Sequence, residues 1–179
     1  MSEFEKLLTS YQKRINSKLD SLLPFDDSLL SEAIRYSVLG GGKRLRPILV
    51  YLIGELGNAE NDSLDILAGS VEIIHCYSLI HDDLPSMDDD DLRRGKPTTH
   101  KKYDEATAIL AGDALQPFAF ELVTTINISD KNKLSIIKSL AQACGYQGMV
   151  GGQIKDIHSN DIKDVKSLDI MHSQKTGSL

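Results

Sequence analysis

The chain has few cysteines, no excess of basic charge, no long uninterrupted apolar run and no alternating strand pattern, and each shortage removes a class of protein. Cys76 and Cys144 both lie in apolar, helix-like sequence. Two cysteines are too few for the disulfide framework of a small secreted domain, so a reducing, cytoplasmic setting is expected. Lys and Arg number 20 against 26 Asp and Glu, a formal charge of -6, which gives no support to a general nucleic-acid surface. Glu3, Glu5, Lys6, Lys13 and Arg14 interrupt the N-terminal residues and leave no secretory h-region. The most membrane-like stretch, Ile66 to Ile80, is broken by Glu72 and His75 and falls short of the ~18 apolar residues a span requires. It reads as a buried helix, not as part of an integral membrane protein. What remains, 179 residues with 41% hydrophobic and 26% charged side chains, fits one ordinary globular domain.

The apolar residues follow the period of helices. Phe4, Leu7, Leu8, Tyr11, Ile15 and Leu19 recur three and four apart, as on a helix with one buried face. Asp26 and Asp27 are expected to cap a second helix that Gly40-Gly41-Gly42 stops. Pro47 suits the first turn of a third helix, 48–56. Cap-type Asn61, Asp62 and Ser63 precede a long fourth helix expected to end near Asp83, before Pro85. Further helices are expected over 105–126, bent at Pro117, and over 133–149, with Gly151 and Gly152 breaking the pattern before 153–157. A last helix starts near Ser167. With no internal repeat either, the fold class is all-α.

The chemistry is concentrated between Asp82 and Asp91, where six carboxylates fall within ten residues. A block of like charge is usually a solvated loop. Here Asp82 and Asp83 end a helix whose dipole already disfavours carboxylates, and hard divalent cations, magnesium above all, would reverse that penalty. On the fourth helix Glu72, His75, Ser78 and Asp82 form one polar stripe among Ile73, Ile74, Cys76, Tyr77, Leu79 and Ile80. Such a stripe is expected to face a wet cavity. Opposite charge follows the glycines, in Lys43, Arg44 and Arg46, and follows the carboxylates, in Arg93, Arg94 and Lys96. Arginine forks bind phosphate oxygens bidentately. Acidic metal ligands and separate basic clusters together imply two diphosphates, one held through metal and one by cations.

The strings GGKRLRP (Gly41 to Pro47), SLIHDDLPSMDDDDLRRGKPT (Ser78 to Thr98), AGDAL (Ala111 to Leu115), GMVGGQ (Gly148 to Gln153) and HSQKTG (His172 to Gly177) closely resemble the bacterial farnesyl diphosphate synthases. The resemblance runs in order along nearly the whole chain. It implies the isoprenoid synthase type of helical bundle around a central cavity, and a magnesium-dependent condensation of isopentenyl diphosphate with an allylic diphosphate, dimethylallyl or geranyl. Carried over position by position, Asp82 and Asp88 would be the main metal ligands, with Asp83 weaker. Arg93 would hold the allylic diphosphate, and Lys43, Arg46, His75 and Arg94 the isopentenyl diphosphate. Lys175 and Thr176 match pocket residues near the allylic diphosphate and the developing cation, and Gln153 and Asp156 would face the same cavity. A homodimer is implied by resemblance alone.

The family's second aspartate-rich motif is not in this sequence, so residues 1–179 are expected to be a single prenyl synthase domain shortened at its C-terminus. A terpene cyclase would leave Lys43, Arg46 and Arg94 without purpose. A non-catalytic regulatory subunit of a prenyl synthase fits the missing motif but not the complete first one. Product length is expected to rest on Tyr77, five residues before Asp82 and ~7.5 Å deeper along the helix. The resemblance associates a bulky aromatic there, and a long spacing between Asp83 and Asp88, with a fifteen-carbon product. Geranylgeranyl diphosphate is the alternative.

Overall fold

The structure, a computed structural model, describes residues 2–158 and 164–179. It is all-α: α1 (Glu3–Leu22), α2 (Leu29–Val38), α3 (Leu45–Leu56), α4 (Asn61–Asp82), α5 (Thr99–Lys102), α6 (Glu105–Thr124), α7 (Asp130–Cys144), α8 (Met149–Ile157) and α9 (Val165–His172), the last running into a π-helical turn, Ser173–Gly177. The one exception among the described residues is an antiparallel ribbon, β1 (Leu92–Arg93) paired with β2 (Lys96–Pro97). The chain divides into two compact units, Met1–Asn127 and Ile128–Leu179.

In the first unit α4 is the core helix. It packs most extensively on α6, then on α3 and α1. By length and composition α4 would pass for a membrane span, yet Leu64, Ala68, Ile73, Ile74, Cys76, Tyr77 and Ile80 are all buried inside the protein. Tyr11, Ile15 and Leu19 are the buried face of α1, as their spacing predicts. A capping box begins that helix: Ser2 N–H donates to Glu5 Oε2 (2.6 Å) and Glu5 N–H to Ser2 Oγ (3.2 Å). The cap of α2 is Ser28 rather than the expected Asp26 or Asp27. Its hydroxyl accepts from Ser31 N–H at 3.1 Å, and Asp26 in turn accepts from Ser28 N–H at 2.9 Å. Asn61, Asp62 and Ser63 lie inside the first turn of α4, which begins one residue after Glu60. Pro47 sits in the first turn of α3 and Pro117 inside α6.

In the second unit the expected break is misplaced. Gly151 and Gly152 lie within α8, and the interruption falls at Gly145 to Gly148 instead. Gly148 is required there, because a Cβ would stand 2.0 Å from the Ala143 carbonyl oxygen. Gly152 serves packing: a Cβ would meet the Lys175 backbone nitrogen at 2.2 Å, so the π turn lies directly on α8.

Candidate active site

After α4 ends, the chain turns back on the helix terminus. Asp83 N–H donates to Leu79 O (3.1 Å), Met87 N–H to Leu84 O (2.8 Å) and Asp88 N–H to Asp82 O (2.9 Å). The turn therefore joins Asp88 to Asp82 through the backbone, with Asp89 in the left-handed region (φ 51). Asp88 to Asp91 are exposed, whereas Asp83 is buried. Burial pushes the Asp83 carboxyl up, and Arg93 opposes the shift. Arg93 Nε donates to Asp83 Oδ1 at 2.7 Å and its Nη2 reaches Asp90 Oδ2 at 3.3 Å. Asp83 is thus committed to an arginine. Asp82 and Asp88 supply hard carboxylate oxygens and suit magnesium. Among the described residues no group of three or more His, Cys, Asp or Glu is arranged to hold a metal.

The ribbon separates the two arginines. Arg94 (φ 55) and Gly95 (φ 77) form its two-residue turn, and a type I′ hairpin needs positive φ at both positions. Arg93 reaches the aspartates, while Arg94 Nη1 donates to the Gly41 carbonyl. Gly42 (φ 131) must lack a side chain, because a Cβ would meet Arg94 Cζ at 2.7 Å. Arg46 lies in the first turn of α3, and its buried Nε has no hydrogen-bond partner. A buried donor left unpaired is costly, and a phosphate oxygen would satisfy it. His75 is pushed down to about 3, chiefly by burial and then by the positive charges of Arg46, Arg94, Arg93 and Arg44. It is neutral at physiological pH. Arg46, His75 and Arg94 therefore share one electropositive neighbourhood. The Lys43 side chain is exposed, and Lys43 O accepts from Gln12 Nε2 at 3.0 Å.

The polar stripe on α4 is not uniformly wet. Glu72 is 2% exposed and paired with Arg44 at 2.7 Å, so these two charges satisfy each other in the core. Ser78 Oγ donates to His75 O at 2.9 Å. Nothing in the sequence sets Arg44 apart from its basic neighbours; its backbone is left-handed (φ 55) and its buried guanidinium is bonded to Asn16, Glu72 and Val38. The ribbon was equally hidden, since two-residue strands leave no periodicity. Tyr77 is 5% exposed, edge-on to the His81 ring at 5.9 Å. His81 Nε2 lies 3.1 Å from Ile109 O on α6, where Gly112 makes room for its ring.

Within the second unit, Lys175 in the π turn pairs with the Asp156 carboxylate of α8. Lys155 Nζ donates to Gln174 Oε1 at 2.6 Å, and Gln174 Nε2 to Gln147 O at 3.1 Å. Gln153 Nε2 is buried without a partner, and Thr176 follows Lys175 in the turn. π-turns of this kind are frequent at functional sites.

Residues 27–179 match the polyprenyl synthetase family. The chain is 50% identical over 184 residues to the farnesyl diphosphate synthase of Haemophilus influenzae, covering 100% of this chain and 62% of that protein. It is 44% identical over 182 residues to geranylgeranyl pyrophosphate synthase 4 of Arabidopsis thaliana, covering 99% of this chain and 49% of that one. Among solved structures, a geranyltransferase from Legionella pneumophila superposes with a TM-score of 0.93 at 41% identity, covering 97% of this chain and 64% of that chain. The chain thus spans about three fifths of the length of the first of these relatives.

Proposed function

Because the chain belongs to the polyprenyl synthetase family, we propose that this protein condenses isopentenyl diphosphate head to tail with dimethylallyl or geranyl diphosphate, giving farnesyl diphosphate. The observation that carries this reading is the hairpin. Two adjacent arginines point to two different places, Arg93 to the aspartate loop and Arg94 to the glycine loop. A reaction with two diphosphates needs two such seats. Single-diphosphate ionisation, as in a cyclase, would leave the Arg46, His75 and Arg94 neighbourhood idle.

In this reading Arg93, oriented by Asp83, holds the allylic diphosphate beside Asp82 and Asp88, which would hold magnesium. Bound magnesium supplies Lewis-acid neutralisation of the departing diphosphate. Lys43, Arg46 and Arg94 neutralise the isopentenyl diphosphate, and the unpaired Arg46 Nε gains its acceptor. Neutral His75 contributes a hydrogen bond without adding to the crowded positive charge. Lys175, which pairs with Asp156 within the second unit, Thr176 and Gln153 are the further residues that the family resemblance assigns to the allylic substrate. The one family match running through both compact units supports reading them as a single prenyl synthase domain. We also propose magnesium dependence, a homodimer and a cytoplasmic location.

The test is incorporation of labelled isopentenyl diphosphate by the full-length protein, with each allylic starter, with and without magnesium. Fifteen-carbon alcohol after dephosphorylation, lost on chelation and restored by magnesium, is the expected result. No condensation with either starter would refute the assignment.

A further inference from the structure

Arg44 is a buried charge held by several helices of the first unit. Its side chain is fully buried, and its guanidinium donates to Asn16 Oδ1 on α1 (2.9 Å), Glu72 Oε1 on α4 (2.7 Å) and Val38 O at the end of α2 (2.7 Å). Its own backbone starts α3, accepting from Ile48 N–H at 3.1 Å. One residue thus joins four helices, three through its side chain and one through its backbone, at the loop carrying Gly41, Gly42, Lys43 and Arg46.

Stability alone is a poor reason for this arrangement. Buried ion pairs are often no more stabilising than apolar residues of similar volume, although removing one partner is costly. The loop above it is conformationally demanding. Gly41 (φ 93), Gly42 (φ 131) and Arg44 itself (φ 55) all have positive φ, and for a residue with a Cβ such a conformation persists only where surroundings hold it. The three groups that depend on this loop are those of the basic seat: the Gly41 carbonyl receives Arg94, the open face of Gly42 admits the Arg94 guanidinium, and Arg46 follows two residues after Arg44.

Resting on the condensation reading above, we propose that Arg44 is a positioning residue for the isopentenyl diphosphate seat. It never touches substrate. Its fork into Asn16, Glu72 and Val38 fixes the glycine loop from below, so that Lys43, Arg46 and Arg94 meet the diphosphate without reorganising. Preorganisation of this kind appears as substrate affinity. Releasing the fork therefore weakens isopentenyl diphosphate selectively and leaves the aspartate loop, which it does not contact, unaffected.

Initial rates of the full-length enzyme, measured against each substrate separately, test this with three variants. Arg44→Met/Glu72→Leu replaces both buried charges by apolar groups. Arg44→Lys keeps the charge but loses the fork, and Asn16→Ala removes one tether from a side chain at the edge of the core. The double variant should raise KM for isopentenyl diphosphate by about tenfold and Asn16→Ala by roughly threefold, with KM for geranyl diphosphate within about twofold of wild type. A merely structural role would lower the folded fraction and leave both KM values in step. If the double variant does not fold, the two milder variants carry the test. Equal shifts for both substrates, or an unchanged isopentenyl KM in the folded variants beside an active wild type, would overturn the role of Arg44 alone. A wild type without condensing activity would overturn the reaction assignment and this role with it.

Discussion

At the scale of single residues the acidic loop divides its labour. Asp83 is buried on Arg93, whereas the Asp82 and Asp88 backbones are bonded together at the helix end. Asp82→Ala or Asp88→Ala in the full-length enzyme should lower kcat by several orders of magnitude with a nearly unchanged unfolding midpoint, because ionisation needs the metal these carboxylates would hold. Near-normal turnover in either would take that residue out of the metal site. The opposed directions of Arg93 and Arg94 predict a split in kinetics: Arg94→Ala should raise mainly the isopentenyl KM, and Arg93→Ala should impair mainly use of the allylic diphosphate. Substrate titrations that moved together would contradict two separate seats. His75 predicts a pH effect on stability. Its folded pKa of about 3 lies below the ~6.5 of an unfolded histidine, so between those values the unfolded chain binds a proton that the native chain does not. This contribution is present above pH ~6.5 and is lost as pH falls towards 3, with a slope of at most ~1.4 kcal/mol per pH unit. Denaturant titrations at pH 7 and pH 5 should show a smaller loss for His75→Gln than for wild type.

At the scale of elements the decisive seam is α4 against α6. Gly112 leaves the space that the His81 ring fills, and a Cβ there would stand 2.1 Å from His81 Nε2. Gly112→Ala should destabilise by about 1–3 kcal/mol through overpacking, read by thermal or denaturant unfolding, and should shift the end of α4 that carries Asp82. An unchanged midpoint would mean that His81 can swing away freely. The same kind of close approach accounts for a glycine inside α8 at Gly152. Glycine in a sequence reads as a break, but here α8 and the π turn press together, and Gly152 is the residue small enough to allow it. Ser28 in place of Asp26 or Asp27 as the α2 cap is a similar case. Three cap-competent residues in a row leave the choice to the path of the chain after Pro24.

At the scale of the whole molecule the proposed condensation leaves product length to be explained. Tyr77 is buried on α4 beside His81, and a ring that blocks the growing tail should stop synthesis at fifteen carbons. Tyr77→Ala should therefore shift products towards geranylgeranyl diphosphate and longer chains, since removing the ring opens volume that the packed interior does not refill. Chromatography of dephosphorylated products decides it. An unchanged farnesol profile from a folded, active variant would assign the floor to another residue. Relatives named for fifteen-carbon and twenty-carbon products both align along this chain.

The sequence by itself determined the helical class, the order of the main helices and the location of the chemistry. Apolar period and helix caps are local signals, and six carboxylates flanked by arginines cannot be hidden by folding. Family membership was equally legible, through motifs in order. Only the tertiary structure decided which charges are spent on partners inside the protein. Arg44 and Arg46 are two residues apart and alike in type, yet one is consumed by Glu72, Asn16 and Val38 while the other keeps a buried nitrogen unpaired. Glu72 shared a helical stripe with His75 and Asp82 but belongs to the core. The physical reason is that a charge is assigned by the partners brought to it, and here the side-chain partners Asn16 and Glu72 each come from another helix 28 residues away along the chain.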